Sequence, residues 1–441
     1  MAVSFDDRDE HVVIGKDVPL AVHTAEDARV RVASISITTG SAASWFAAEY
    51  LDPTRGVMFP GRAGGSAASY DWRGSPFVGI VRDPVDVSVR YERALVALEV
   101  CERRAGASCG APGGVGDGRD AEGLTTCALR IMRTVVGDSG DTKALGQFFV
   151  VYAHGNACDA GDCATEATKL AVGLKAHVIV PEFPGYGVVE GVAHEQSVNA
   201  ILKATVKYCV KFLHAPQSRI IVLGRSIGTG PAAWLARTMS VQDGPPAALV
   251  LHSPFTSIRA IARRYVGVAS ALLPERWNTA ANIVDVDCPV LLIHGDMDNI
   301  IPHSHSLELV DIVKKTNVAR EKEATDRQLQ VPDPKPASMS LYVQAGCDHN
   351  VFDTEQDFVF PIMKFVNTKV VPYVWRQSVK RQTVIRKGSS TGATGIGTSE
   401  KPPEELEPMQ CKVRVEASML KRVRQNTGDA DHYGTKAVPL S

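Results

Sequence analysis

Between residues 126 and 369 the chain alternates short apolar runs with amphipathic stretches, and this alternation limits its fold more than any other feature. The runs are ALRIMRTVV (128–136), QFFVVYAHG (147–155), HVIVPEF (177–183), RIIVLGRS (219–226), AALVLHS (247–253), PVLLIHG (289–295) and MSLYVQAG (339–346). Between them lie stretches such as HEQSVNAILKATVKYCVKFL (194–213), where Ile201, Val206, Cys209, Val210 and Leu213 recur at helical spacing. Continuous apolar strands separated by helices predict an α/β fold, a mostly parallel twisted sheet with helices on both faces. Sheets of this kind bind ligands beyond the carboxyl ends of their strands. Chemistry is therefore expected just after each apolar run.

Composition narrows the classes. Forty-eight Lys and Arg against 49 Asp and Glu give 441 residues a formal charge of −1, with 44% hydrophobic and 22% charged residues. Such a chain is neither wholly disordered nor a coiled coil. Its balance argues against a dedicated nucleic-acid binder, which would be strongly basic. No run reaches the ~18 apolar residues of a transmembrane helix. The acidic start MAVSFDDRDEHVVIGKD lacks the apolar core of a secretory signal, and Ala2 excludes N-myristoylation. Nine cysteines without repeated spacing suit reduced thiols in the cytoplasm. Cys158 and Cys163 are separated by four residues, but no second pair completes a zinc site.

The flanks read differently. Residues 1–125 are expected to form an N-terminal extension, partly irregular, with a strand at VRVASISITTG (30–40) and Gly-rich loops at 61–69 and 106–123. Residues 86–104 fit helix or strand equally. Within the 126–375 domain, the charged, proline-containing stretch 318–338 reads as an exposed insertion. Residues 376–441 read as a disordered tail. Its basic clusters read first as a solvated tail, and alternatively as a weak peripheral contact with anionic lipid or a partner.

The strongest chemical signal is Gly224-Arg225-Ser226-Ile227-Gly228, a G-x-S-x-G directly after an apolar strand and directly before a helix. That is the context of a nucleophile elbow. A serine on so sharp a turn sits in strained backbone space, and residues two positions away must lack bulk for the chain to pass. The turn would lift the Ser226 hydroxyl to the sheet edge and aim the Ile227 N–H at a reacting carbonyl oxygen. The other reading, a Gly-rich phosphate turn, lacks the lysine and spacing of a P-loop.

A serine hydroxyl needs a base, and the base needs a carboxylate to fix its tautomer. In the chain order Ser, Asp, His both partners lie downstream. PVLLIHGDMDNIIP (289–302) ends a strand in a turn offering Asp296 and Asp298, and Gly346-Cys347-Asp348-His349 follows the next strand. His349 is the expected base. His294, inside a strand end, reads as structural, and His303 and His305 read as the start of the next helix.

These segments resemble the α/β-hydrolase superfamily. HGDMDNIIP resembles its acid turn, whose second acidic position maps onto Asp298, and GCDHN resembles its G-x-x-H ending. VVYAHGNACDAGD (150–162), PEFPGYGVVEG (181–191) and HSPFTSI (252–258) are similar to segments of α/β-hydrolase-domain proteins. That subgroup includes protein depalmitoylases and serine peptidase-like hydrolases of the prolyl-oligopeptidase clan. The likeness covers roughly residues 126–369. It implies an α/β-hydrolase fold and a serine hydrolase that needs neither metal nor cofactor. It also implies a second oxyanion donor, the backbone N–H of Asn156 or Ala157, in the turn shaped by His154 and Gly155. Tyr186 either lines the pocket or packs.

The depalmitoylases carry an N-terminal cysteine cluster that anchors them to membrane, whereas the first cysteine here is Cys101. That anchor is therefore not expected. Residues 254–288, between two strands, leave no room for a large cap domain. An open site suits a bulky acylated protein or peptide better than a small buried metabolite, and the substrate expected is an acylated protein or a lipid ester. The expected activity is ester or thioester hydrolysis, with a peptidase or a non-catalytic scaffold as alternatives.

Overall fold

The computed structural model describes residues 10–13, 79–102, 124–156, 158–186, 189, 193–327, 338–388 and 402–411. The strand expected at 30–40, the loops at 61–69 and 106–123, and the end of the tail at 421–441 lie outside the described residues.

Among the described residues the strands, those of the alternating region included, form one twelve-stranded sheet. Its central parallel part contains β6 (Phe149–Ala153), β7 (His177–Pro181), β8 (Ile220–Arg225), β9 (Ala248–His252), β10 (Pro289–Gly295) and β11 (Ser338–Gln344). They lie in the order β7-β6-β8-β9-β10-β11, and each neighbouring pair is parallel. Apolar residues of both alternating faces of β6, β8, β9 and β10 are buried, because helices cover both sides. Each buried Val, Leu or Ile of these strands contributes about 2 kcal/mol to the fold.

The helices include α1 (Ala164–Leu174), α2 (Glu195–Lys211), α3 (Thr229–Thr238), α4 (Ile258–Val266) and α5 (Ser304–Asp326). Among the described residues the two largest core clusters lie one on each face of the sheet. Among the described residues no helix is long and apolar enough to cross a membrane.

The structure differs from expectation at the flanks. Residues 86–104, ambiguous in sequence, contain the strand β3 (Val89–Glu102). It pairs antiparallel with β4 (Leu124–Val136), from Val89 opposite Val135 to Val100 opposite Leu124. β4 in turn joins the parallel part through β7, so the sheet extends past the boundary expected at 126. Strands β1 (Glu10–Val13) and β2 (Gly79–Arg82) also pair with β3.

The first part of the 318–338 stretch, expected as an exposed insertion, is the end of α5. Its Glu and Arg residues support helix, with Glu323 and Arg327 2.9 Å apart and Arg320 2.8 Å from Asp285. Residues 328–337 lie outside the described residues. Helix likewise continues past 376 to Gly388, because Val371 and Val374 reach the core and Tyr373 donates to the Asp287 carbonyl at 2.8 Å. The chain then returns to the sheet. β12 (Met409–Cys411) pairs with β5 (Thr142–Gly146), while Glu405 receives Lys175 at 2.7 Å.

This topology positions the site. From β6 the chain crosses to β7 on one side, then returns to β8 on the other. The connections from β6 and β8 therefore leave in opposite directions, which opens a crevice at their carboxyl ends.

Candidate active site

Ser226 follows β8 directly and opens a helical run continuing into α3. Its φ of +53° is the left-handed strain expected of an elbow. Both flanking glycines are sterically required. A Cβ on Gly224 would collide with the Gly228 carbonyl and lie 2.8 Å from Ala232 Cβ. One on Gly228 would strike the Ala153 carbonyl and lie 2.5 Å from that of His154.

Two downstream loops bring their side chains to this hydroxyl. Ser226 Oγ lies 2.8 Å from His349 Nε2, and His349 Nδ1 lies 2.7 Å from Asp298 Oδ2. The other oxygen of Asp298 accepts the backbone N–H groups of Ile300 and Ile301, at 3.0 and 2.8 Å. Burial pushes the Asp298 carboxyl up. Hydrogen bonding from His294 and His349 outweighs it, with the Ile301 N–H adding to them, and holds the group well below the usual carboxylate range. With the carboxylate ionised, His349 donates from Nδ1 and Nε2 is left to accept from the serine.

Asp296 has a different position. It accepts the Gly346 N–H at 2.7 Å and so ties the acid turn to the loop carrying His349. His294 is buried, touching Ile301 O at 2.7 Å, Ser306 Oγ at 2.8 Å and Asp298 Oδ2 at 3.4 Å. His305 meets Thr256 Oγ1 at 3.1 Å, away from the serine.

The turn after β6 faces the elbow. Gly155 packs against it, since a Cβ there would sit 3.5 Å from Ser226 Cβ. Asn156 is held by Tyr186, whose hydroxyl donates to Asn156 Oδ1 at 2.7 Å. Ala157 lies outside the described residues. Ile227, expected as the other donor, stands in the first turn of the helical run, where N–H groups have no intrahelical acceptor.

His154 is expected to shape this turn, and Tyr186 either to line the pocket or to pack. His154 and Tyr186 are both fully buried. The His154 ring stacks on Phe183 at 4.2 Å, and its Nε2 lies 3.0 Å from Glu182 Oε1. Glu182 also accepts the N–H groups of Ala160 and Phe183. A buried imidazole beside a buried carboxylate is better paired than exposed, so both side chains brace the turn from beneath.

Sequence reasoning did not single out Arg225, the residue inside G-x-S-x-G. Its guanidinium donates to the His349 carbonyl at 3.3 Å and to Asn350 Oδ1 at 3.4 Å, and lies 5.1 Å from the Phe352 ring centre. It ties the elbow to the histidine loop. The only sequence signal was a cation next to the serine. Among the described residues, no group of three or more His, Cys, Asp or Glu could hold a metal ion.

A sheet of this order, with a strained serine after β8, an acid turn after β10 and a histidine after β11, defines an α/β-hydrolase-fold protein. Over part of its length the chain is similar to several known proteins. The chain is 30% identical over 164 residues to the α/β-hydrolase domain-containing protein aho-3 of Caenorhabditis elegans, covering 37% of this chain and 47% of that protein. It is 28% identical over 183 residues to the lysophosphatidylserine lipase ABHD12 of Danio rerio, covering 38% and 47%. With the human α/β-hydrolase domain-containing protein 17B it shares 28% over 166 residues, covering 37% and 55%. The chain thus spans about half the length of the curated relatives it matches. Among solved structures, the Pyrococcus furiosus esterase Pf2001 aligns with a TM-score of 0.40 at 15% identity, covering 56% of this chain and 89% of that one. No protein-family model matches the chain.

Proposed function

We propose that the chain is a serine hydrolase that transfers an acyl group through an acyl-enzyme intermediate. The observation that carries this reading is the hydrogen-bonded series Ser226, His349, Asp298, with the carboxylate held ionised. Ser226 Oγ attacks the substrate carbonyl while His349 Nε2 takes its proton. His349 then gives that proton to the leaving group, the acyl–leaving-group bond breaks, and water repeats the sequence to free the acid. Asp298 orients the imidazole and stabilises its charged form. The N–H groups of Ile227 and of Asn156 or Ala157 receive the developing oxyanion, each worth about 3–4 kcal/mol in the transition state.

The substrate we favour is an ester or thioester, either a lipid ester or an S-acylated protein. Relatives named as a lysophosphatidylserine lipase and as α/β-hydrolase domain proteins support this class. A panel of matched ester, thioester and amide substrates, run on wild type and Ser226→Ala, tests it. Turnover of the ester or thioester, lost in the variant, is expected. Amide cleavage alone would identify a peptidase, and no turnover of any member would identify a scaffold.

A further inference from the structure

Arg225 is the last residue of β8 and immediately precedes Ser226. Its backbone is still extended, at φ −120° and ψ 134°. Strand alternation therefore puts its side chain on the face of Ile221 and Leu223, which lie in the core cluster that also contains Tyr152 and Phe358. The residue is half-buried. Three groups of the histidine loop meet its guanidinium. Nη2 donates to the His349 carbonyl at 3.3 Å and to Asn350 Oδ1 at 3.4 Å, and the Phe352 ring centre lies 5.1 Å from the guanidinium carbon. Phe352 is itself held edge-on to the His252 ring at 4.8 Å.

The other bonds of this loop run elsewhere. The Cys347 carbonyl accepts the Met297 N–H at 3.0 Å, the Gly346 N–H goes to Asp296, and His349 Nδ1 goes to Asp298. All three partners stand on the acid turn. Asp348 Oδ1 accepts the N–H groups of Asn350 and Val351 within the loop, each at 2.7 Å. These bonds make the loop and the acid turn one unit, but they do not fix that unit's distance from Ser226. Apart from the Ser226–His349 bond, the hydrogen bonds that join the loop to the elbow come, among the described residues, from Arg225.

The Ser226–His349 bond cannot serve alone. It is broken in the reaction, when Oγ bonds to the acyl carbon and the imidazolium turns its proton to the leaving group. The imidazole must then stay in place to activate water. Only a contact outside the chemistry can hold it there throughout. We propose that Arg225 is a positioning residue, whose guanidinium holds the backbone of the histidine loop against the elbow strand and keeps the His349 imidazole in reach of the reacting atoms through acylation and deacylation. The planar guanidinium suits this task because its N–H groups point in fixed directions while it rests against an aromatic ring, which an ammonium cannot reproduce.

The proposal rests on the hydrolase reading. Short-chain ester hydrolysis by full-length wild type, Arg225→Met and Arg225→Lys tests it, with kcat counted per serine titrated by a fluorophosphonate. Misfolded molecules then drop out of the count, so a merely structural role would leave kcat per site unchanged. We expect Arg225→Met to lower kcat by about 100-fold with KM within about threefold of wild type, since a displacement of about 1 Å suffices for such a loss. Arg225→Lys keeps the charge and the stem but not the planar fork, and should lose about tenfold in kcat. It carries the test should Arg225→Met fail to fold. A kcat per site within about threefold of wild type, or a raised KM at unchanged kcat, would overturn the proposal, the second result making Arg225 a substrate-binding group. A wild type that hydrolyses no ester would instead refute the hydrolase reading, and the proposal with it.

Discussion

Asp298 Oδ2 lies 2.7 Å from His349 Nδ1, although the two residues are 51 positions apart and follow neighbouring strands. Parallel pairing explains the meeting. β10 and β11 run in register from Pro289 opposite Ser338 to Gly295 opposite Gln344, so both loops leave the same sheet edge. Asp296 then fastens one loop to the other through the Gly346 N–H.

This division of labour separates the two acids. Asp298→Asn should lower kcat by about 10⁴-fold, because the amide cannot hold the imidazole in its working tautomer. Asp296→Asn keeps an oxygen able to accept the Gly346 N–H, and kcat should stay within about threefold of wild type. Steady-state ester hydrolysis by the two variants checks this, and equal losses would reverse the assignment.

Gly228→Ala should damage folding as well as activity. Its Cβ would meet the Ala153 and His154 carbonyls, which are backbone and cannot move aside cheaply. A loss of about 2 kcal/mol or more is expected from this overpacking. Urea unfolding monitored by circular dichroism measures it; an unchanged midpoint would show that the turn after β6 can yield.

Much of this site was legible in the sequence for a physical reason. An elbow needs small residues at fixed offsets, and Gly224, Ser226 and Gly228 carry that need in five consecutive positions. Asp298 and His349 each follow an apolar strand, so their place at the sheet edge follows from the alternation. Burial is less legible. Tyr186 reads equally as lining the pocket or as packing, and burial decides for packing, because its partner Asn156 comes from elsewhere in the chain, as Glu182 does for His154. β12 was unreadable because a three-residue strand carries no periodicity. α5 outran its expected end because charged residues can propagate an exposed helix as readily as they mark a loop.

Glu166 should make stability fall across mildly acidic to neutral pH. Burial pushes its carboxyl up to about 7, against the Arg225 charge and the Tyr152 hydroxyl, which donates at 3.1 Å. A carboxyl raised in the folded state costs nothing below its ordinary value of about 4.3, where both states are protonated. As pH rises from there to about 7, the unfolded chain ionises first, and stability falls by up to roughly 3 kcal/mol. Glu166→Gln should flatten that slope in thermal melts from pH 4.5 to 8. An identical slope in the variant would remove Glu166 as its cause.

The most direct test of the central claim is covalent labelling with a fluorophosphonate, followed by peptide mapping. The hydrogen-bonded series at the sheet edge requires the label on Ser226 of wild type, with labelling abolished in Ser226→Ala and strongly slowed in His349→Ala. A folded wild-type protein that takes no label, or one labelled at another residue while Ser226 stays free, would contradict the account.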